Sequence, residues 1–335
     1  MPDGTVISPM PEPASIEAPA LDVAGLTVRF RRREATVAAV SDVSFALRRR
    51  ETLTILGESG SGKSVTLKAL LGLLPAYTEI TGSVRLAGQP LLGLPAGELA
   101  KLRGQRISMV FQEPITALDP VYTIGKQITE TIIRHEGVDE TTARNRARTL
   151  LERMRIPAAE RRLGNYPHEM SGGMRQRAMI ALALACSPDV LLADEPTTAL
   201  DVTVQIQILH LLRQLQEEFG MAIVFVTHDV GVAAEISDRV AVMYAGRFVE
   251  TGSVREIIRA PRHPYTAGLL GCAVHGGRRG SALTAIPGGP PDLAALPPGC
   301  AFAPRCKYAV EHCRLGDPPV VTKSDGHMVR CVREA

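Results

Sequence analysis

Gly57-Glu58-Ser59-Gly60-Ser61-Gly62-Lys63-Ser64 decides how this chain folds, because it fits G-x-x-x-x-G-K-[ST] in the setting that pattern requires. An apolar run, Thr52–Leu56, precedes it, and Val65–Leu74 reads as the helix that follows. Glycines let the backbone wrap so that successive amides face phosphate oxygens, and the helix N-terminus adds its partial positive charge. Lys63 then reaches the β- and γ-phosphates, and the Ser64 hydroxyl joins a Mg²⁺ shell. A Gly/Ser-rich turn would match the four fixed positions by chance in roughly one chain in a hundred of this length. The strand–loop–helix order makes chance rarer still.

Outward from that loop, short β-branched or apolar runs alternate with helical patterns, which predicts an α/β domain with a largely parallel sheet. The strand candidates are Thr52–Leu56, Ile107–Phe111, Val190–Ala193, Ala222–Thr227 and Arg239–Tyr244. Ala245-Gly246 and then Arg247–Glu250 extend the last into a hairpin. The stretch from about Pro114 to Ser187 reads as a helical insertion, rich in Arg, Ala and Leu around Thr142–Arg155. A later helix, about Val202–Phe219, carries Ile208, Leu211, Leu212, Leu215 and Phe219 at helical spacing, with Gly220 placed to end it.

Composition leaves room for one large domain and an appendage: the chain has 335 residues, 45% hydrophobic and 22% charged. A net charge of +3 is too small to argue for nucleic acid or a lipid surface. No stretch approaches the roughly 18 apolar residues that span a bilayer. The first twenty residues hold no Lys or Arg and are broken by Pro2, Pro9, Pro11, Pro13 and Pro19, which is a flexible tail and not a secretion signal. The chain is therefore expected in the cytoplasm, with any membrane role exerted through partners. Residues 21–260 read as the α/β domain, and 261–335 as a Pro-rich appendage able to bury little core by itself.

At the end of the third strand stand Asp194 and Glu195. An apolar strand ending in a carboxylate suits a Walker-B role: Asp194 would hold Mg²⁺ through water and Glu195 would polarise an attacking water. Alone, such a pair is usually a solvated turn; beside a phosphate loop the odds reverse. Ser171-Gly172-Gly173-Met174-Arg175-Gln176 opens an apolar helix and offers a hydroxyl and free amides, a second anion-binding helix start. Two such starts in one chain suggest that two chains sandwich each nucleotide.

In this order, the phosphate loop, Gln112 in Val-Phe-Gln-Glu-Pro, Ser171–Gln176, Asp194-Glu195-Pro196, Ala199-Leu200-Asp201 and His228 make the chain resemble the ATPase subunits of ABC transporters over nearly all of residues 21–335. That resemblance implies a P-loop NTPase fold, a RecA-like core with an antiparallel β subdomain and a helical insertion. It implies ATP held by residues 57–64 and Val65, with Phe30 stacked on adenine. Gln112 would contact Mg²⁺ and the water, His228 the γ-phosphate, and Ser171, Gly172, Gly173 and Gln176 would form the signature. Ser171 and Gly173 would bind the γ-phosphate of ATP on the opposite subunit, and Asp201 would bridge the dimer. Met170 stands where the family usually has Leu, a change of little volume.

Within the family, five segments look like the dipeptide, oligopeptide and nickel importers: Thr116-Ala-Leu-Asp-Pro-Val-Tyr-Thr-Ile-Gly125, Thr197-Thr-Ala-Leu-Asp-Val-Thr-Val-Gln205, His263-Pro-Tyr-Thr266, Ile286-Pro-Gly-Gly-Pro-Pro-Asp-Leu293 and Cys300-Ala-Phe-Ala-Pro-Arg-Cys306. His263-Pro-Tyr reads physically as a turn opening a helix, and not as a site. The resemblance implies import of peptides, with nickel or another small solute as the alternative cargo. It also implies a second ATPase subunit (a heterodimer favoured over a homodimer), two transmembrane permease subunits and an external substrate-binding protein, with this chain at the cytoplasmic face of the inner membrane. A rival, an ABC-type ATPase acting on nucleic acid or ribosomes, usually brings a long coiled coil or two ATPase units; this chain has neither, nor a basic stripe.

Cys300, Cys306, Cys313 and Cys331 crowd the end at C-x5-C-x6-C-x17-C. Four thiolates suit zinc or an iron–sulfur cluster, and a lobe with little core gains from a metal clip. The first gap is wider than structural zinc prefers. The importer resemblance implies a [4Fe-4S] cluster; zinc and four unligated thiols remain the alternatives.

Overall fold

The structure is a computed structural model that describes residues 18–31, 36–198, 200–272, 286–324 and 326–334. In chain order its strands are β1 Leu21–Arg31, β2 Thr36–Leu47, β3 Thr52–Leu56, β4 Thr78–Leu86, β5 Gln89–Pro90, β6 Ile107–Val110, β7 Val190–Asp194, β8 Ala222–Thr227, β9 Arg239–Tyr244, β10 Arg247–Ser253, β11 Val320–Thr322 and β12 Met328–Arg330. They form an antiparallel sheet ordered β2-β1-β4-β5 and an eight-stranded sheet ordered β11-β12-β10-β9-β3-β8-β7-β6. From β9 to β6 the larger sheet is parallel. Every residue of β3, β6, β7 and β8 is buried, as a sheet covered on both faces requires. The α/β class and each anticipated strand of the parallel sheet are therefore present.

Between β6 and β7 lie the helices Ile124–Glu136, Glu140–Arg153, Ala159–Leu163 and Gly172–Ala183. Thr123 and Asp139 cap the first two, accepting from the Lys126 and Thr142 amides, and Gly137 ends the first in the left-handed region at φ 68°. Ile128, Ile132, Leu150, Leu151 and Met154 from this block join one core with Leu191, Ile223 and Phe225 of the sheet. The opposite face of the sheet packs with the antiparallel sheet, where Leu53, Ile55, Val224 and Val226 meet Leu21, Leu26, Val28 and Leu47. The helix Val202–Phe219 ends at Gly220, φ 66°.

Among the described C-terminal residues most are loop, as expected, but they bury more core than anticipated and join the main sheet. β12 pairs with β10 through Glu250–Val329 and Thr251–Met328, and β11 pairs with β12, so the end of the chain extends the main sheet. Tyr265 and Phe302 are buried against Tyr244, with ring centroids 4.6 and 5.2 Å from it. Glu250, fully buried, accepts from the amides of Arg262 and His263 and pairs with His327 at 2.7 Å. Prolines hid this core because its apolar residues are few, large and scattered, with no periodicity to find. The N-terminal tail, apart from its last three residues, lies outside the described residues.

Candidate functional site

The phosphate loop joins β3 to the helix Lys63–Leu70. Its glycines are dictated by close approach: a Cβ on Gly57 would stand 2.3 Å from the Met243 carbonyl oxygen, and one on Gly62, at φ +106°, 2.5 Å from that of Ala39. Lys63 Nζ donates to the Gly57 and Glu58 carbonyls, both at 2.8 Å, and so folds back over its own loop. Burial pulls the Lys63 ammonium below its ordinary pKa, while Glu195, Asp194 and Glu58 pull it back up.

Ser64 Oγ donates to the Asp194 carboxylate at 2.8 Å. Asp194 is buried at the end of β7, and desolvation pushes its carboxyl above the usual range despite the Ser64 bond. A buried carboxylate beside a hydroxyl, under a phosphate loop, is a donor set that fits Mg²⁺.

Glu195 is next, with a left-handed backbone at φ 46° that turns its carboxylate back toward the loop. There it accepts from Gln112 Nε2 at 3.4 Å and Thr198 Oγ1 at 2.9 Å, and pairs with His228 Nδ1 at 3.1 Å. Two sequence-distant candidates, Gln112 and His228, thus meet at the carboxylate of a third, Glu195. With Lys63, Ser64 and the loop they line a cavity of about 630 Å³. Such an arrangement can bind a polyphosphate on the loop amides and hold a water against its terminal phosphorus.

Ser171, Gly172, Gly173, Gln176 and Asp201 are not among the residues lining this cavity. Ser171 caps the helix Gly172–Ala183, accepting from the Met174 amide at 3.4 Å, and Asp201 caps Val202–Phe219, accepting from Val204 at 2.9 Å. Gln176 is buried and donates to the Pro196 carbonyl, which ties the signature helix to the segment carrying Glu195. Gly173 approaches the same helix as Asp201, since a Cβ there would meet Val204 at 3.3 Å. Phe30 also lies outside the cavity lining; its ring packs 6.4 Å from that of Tyr77.

Several residues at or near the loop carry no local signal in the sequence. Leu269 and Leu293 line the nucleotide cavity from the C-terminal lobe. Tyr265, read as part of a helix-opening turn, is buried and its hydroxyl accepts from the Glu58 amide at 2.9 Å. Arg305 forms a two-point ion pair with the Glu58 carboxylate at 2.6 and 2.9 Å. The one available signal was Glu58, an acid at a phosphate-loop position that asks for a cation.

Cys300, Cys306, Cys313 and Cys331 are free thiols that line one small cavity with His263. Burial raises the pKa of Cys300, Cys306 and Cys331. Among the described residues, however, no three His, Cys, Asp or Glu side chains are grouped so as to hold a metal ion. The expected [4Fe-4S] cluster, and zinc with it, gains from the geometry no more than that shared cavity: loop turns such as Cys300 N–H to Cys313 C=O, 2.8 Å, hold the backbone here.

Among the described residues no helix is long and apolar enough to cross a membrane. Residues 40–198 match the family model for the ABC transporter, and residues 249–313 that for the oligopeptide/dipeptide transporter C-terminal region. The oligopeptide transport ATP-binding protein OppD of Haemophilus influenzae is 49% identical over 93% of this chain and 97% of its own length. OppD of Salmonella typhimurium is 47% identical over 96% and 95% respectively. Among solved structures, a dimeric ATP-binding cassette in a post-hydrolysis state with ADP and Pi superimposes with a TM-score of 0.63, at 31% identity over 70% of this chain and 99% of that one. With its phosphate loop, its Glu195 cluster and a C-terminal region matched separately, this chain belongs to the ATP-binding subunits of ABC transporters, in the oligopeptide/dipeptide branch.

Proposed function

We propose that this chain hydrolyses ATP to power the import of peptides, and that Glu195 polarises the water that attacks the γ-phosphate. The observation that carries this reading is the meeting of Gln112, Glu195 and His228 at one wall of the cavity whose floor is the phosphate loop. Peptide cargo follows from relatives named for oligopeptide transport at about half identity along almost their whole length, and from the matched C-terminal region.

In this mechanism residues 57–65 bind the nucleotide, and Lys63 exchanges its two loop carbonyls for the β- and γ-phosphates. Ser64, Asp194 and Gln112 would hold Mg²⁺, which when bound would offset charge on the phosphate oxygens. Glu195 keeps the water in line, while His228 stands over the γ-phosphate. Phe30 offers its ring to adenine. Ser171, Gly172, Gly173 and Gln176 face the ATP of a second ATPase subunit, related but not identical to this one, and Asp201 bridges the two. Closure of that pair tilts the helical insertion (residues 114–187) and so moves two permease subunits fed by an external binding protein. The chain then works at the cytoplasmic face of the inner membrane, as a nucleotide-binding domain (21–260) with a C-terminal extension (261–335) behind a short tail (1–20).

The cysteine cavity belongs to the same reading. In number and type Cys300, Cys306, Cys313 and Cys331 suit a [4Fe-4S] cluster, which when bound would cross-link the lobe. Iron and acid-labile sulfide in anaerobically purified protein test it; zinc alone, at one per chain, would refute it.

Glu195→Gln tests the central assignment. The variant should bind MgATP, lower hydrolysis by about two to four orders of magnitude and accumulate as an ATP-bound dimer. Turnover near the wild-type rate would remove Glu195 from its role.

A further inference from the structure

Glu58 is the second residue of the phosphate loop, and each of its polar groups is taken. Its carbonyl accepts from Lys63 Nζ at 2.8 Å. Its amide donates to the Tyr265 hydroxyl at 2.9 Å, and its carboxylate meets both terminal nitrogens of Arg305. Two of these three holds come from the C-terminal lobe, Arg305 from 247 residues further along the chain.

Arg305 is itself fully spent. A guanidinium has five N–H donors. Nε donates to the Pro287 carbonyl at 2.9 Å, and the terminal nitrogens reach Glu58, the Tyr244 hydroxyl and the Gly288 carbonyl. Its side chain is only 7% exposed, so water cannot replace these partners. A buried guanidinium placed this way fixes whatever it grips, and a lysine could not copy the fork. Leu269 and Leu293 bring the lobe to the rim of the same nucleotide cavity.

We propose that Arg305 and Tyr265 are positioning residues for nucleotide binding: from the C-terminal lobe they hold Glu58, and through its carbonyl they set where Lys63 lies before phosphates arrive. The inference rests on the phosphate-loop assignment made above. Arg305 touches no substrate atom in this scheme; it acts through Glu58. A merely structural Arg305 would change the melting temperature when removed and leave the response to MgATP alone.

The test is steady-state ATP hydrolysis by the assembled transporter carrying full-length variants, with MgATP titrated to separate KM from kcat. Arg305→Ala should raise KM about tenfold and change kcat by no more than about twofold, the pattern of lost uniform binding. Arg305→Lys should recover only part of the loss. Glu58→Ala should raise KM similarly, and the Glu58→Ala/Arg305→Ala double variant should be no worse than the worse single one. Arg247→Ala is the control, since it loses the Asp317 ion pair that ties the lobe to β10 without touching the loop; its KM should stay within about twofold. The proposal falls if Arg305→Ala leaves KM unchanged, if the two single effects multiply, or if Arg247→Ala raises KM as much as Arg305→Ala does. Should Arg305→Ala fail to fold, Arg305→Lys, Glu58→Ala and their double variant carry the same cycle. Failure of wild type to hydrolyse MgATP, or a fully active Lys63→Ala, would overturn the phosphate-loop reading and this inference with it, a pattern distinct from silence of the Arg305 variants alone.

Discussion

The nucleotide cavity and the C-terminal lobe are built in opposite ways. Most of the cavity's chemistry comes from short consecutive runs at the ends of buried strands, where backbone geometry alone places Lys63, Ser64, Asp194 and Glu195. The lobe instead joins single residues from far apart: Glu250 with His327, Tyr244 with Tyr265 and Phe302, Arg305 with Glu58. A site made of loops on a sheet can lose a side chain and stay folded, because the apolar cores on the two faces of that sheet are packed by other residues. A lobe made of a few buried long-range pairs cannot. Substitutions in the first region should therefore register in turnover, and those in the second in stability, except at Arg305 and Tyr265, which grip the phosphate loop and should register in nucleotide binding.

The largest effect expected is on the cavity side. Lys63→Ala removes the cation nearest the phosphates and should cut hydrolysis by at least about a thousandfold, roughly 4 kcal/mol of transition-state stabilisation. Because the Lys63 ammonium is buried and its pKa already depressed by desolvation, its loss should leave the melting temperature almost unchanged. A variant that melts far below wild type would break the contrast.

On the lobe side, Glu250→Ala strips the acceptor from two backbone amides and from His327 at a fully buried position. Leaving two backbone amides without their buried acceptor costs about 2 kcal/mol or more. Urea unfolding should show that loss, while kcat for the folded fraction stays near wild type. A collapse of kcat with unchanged stability would mean that the lobe serves the chemistry directly.

The same contrast explains what could be read from the sequence. The phosphate loop, the parallel strands and the helix ending at Gly220 carry their own local signals: glycine spacing, continuous apolar runs, a 3.6-residue period. Gln112, Glu195 and His228 were legible as candidates, because each follows a buried strand, but their meeting at one carboxylate was visible only in three dimensions. β11 and β12 are three residues each, too short for any periodicity; β12 pairs with β10 and β11 with β12, and the Glu250–His327 contact beside them joins residues 77 positions apart. His263-Pro-Tyr265 has the local pattern of a turn, but the Tyr265 hydroxyl reaches a loop 207 positions earlier, which no window of sequence contains.

The smallest effect is the most discriminating, because it lies where the two regions touch. Tyr265→Phe keeps the ring that packs on Tyr244 and Phe302 and deletes only the oxygen that accepts the Glu58 amide. If Tyr265 belonged to the lobe alone, losing a hydroxyl from an apolar cluster would be nearly neutral. An amide left without its acceptor in a part-buried loop costs about 1 kcal/mol, and here that cost falls on the phosphate loop. Stability should drop by that amount and MgATP should stabilise the variant less than it does wild type, measured as the shift in melting temperature on adding nucleotide. Equal nucleotide-induced shifts in the two proteins would place Tyr265 wholly in the lobe and return the boundary between the regions to the edge of the phosphate loop.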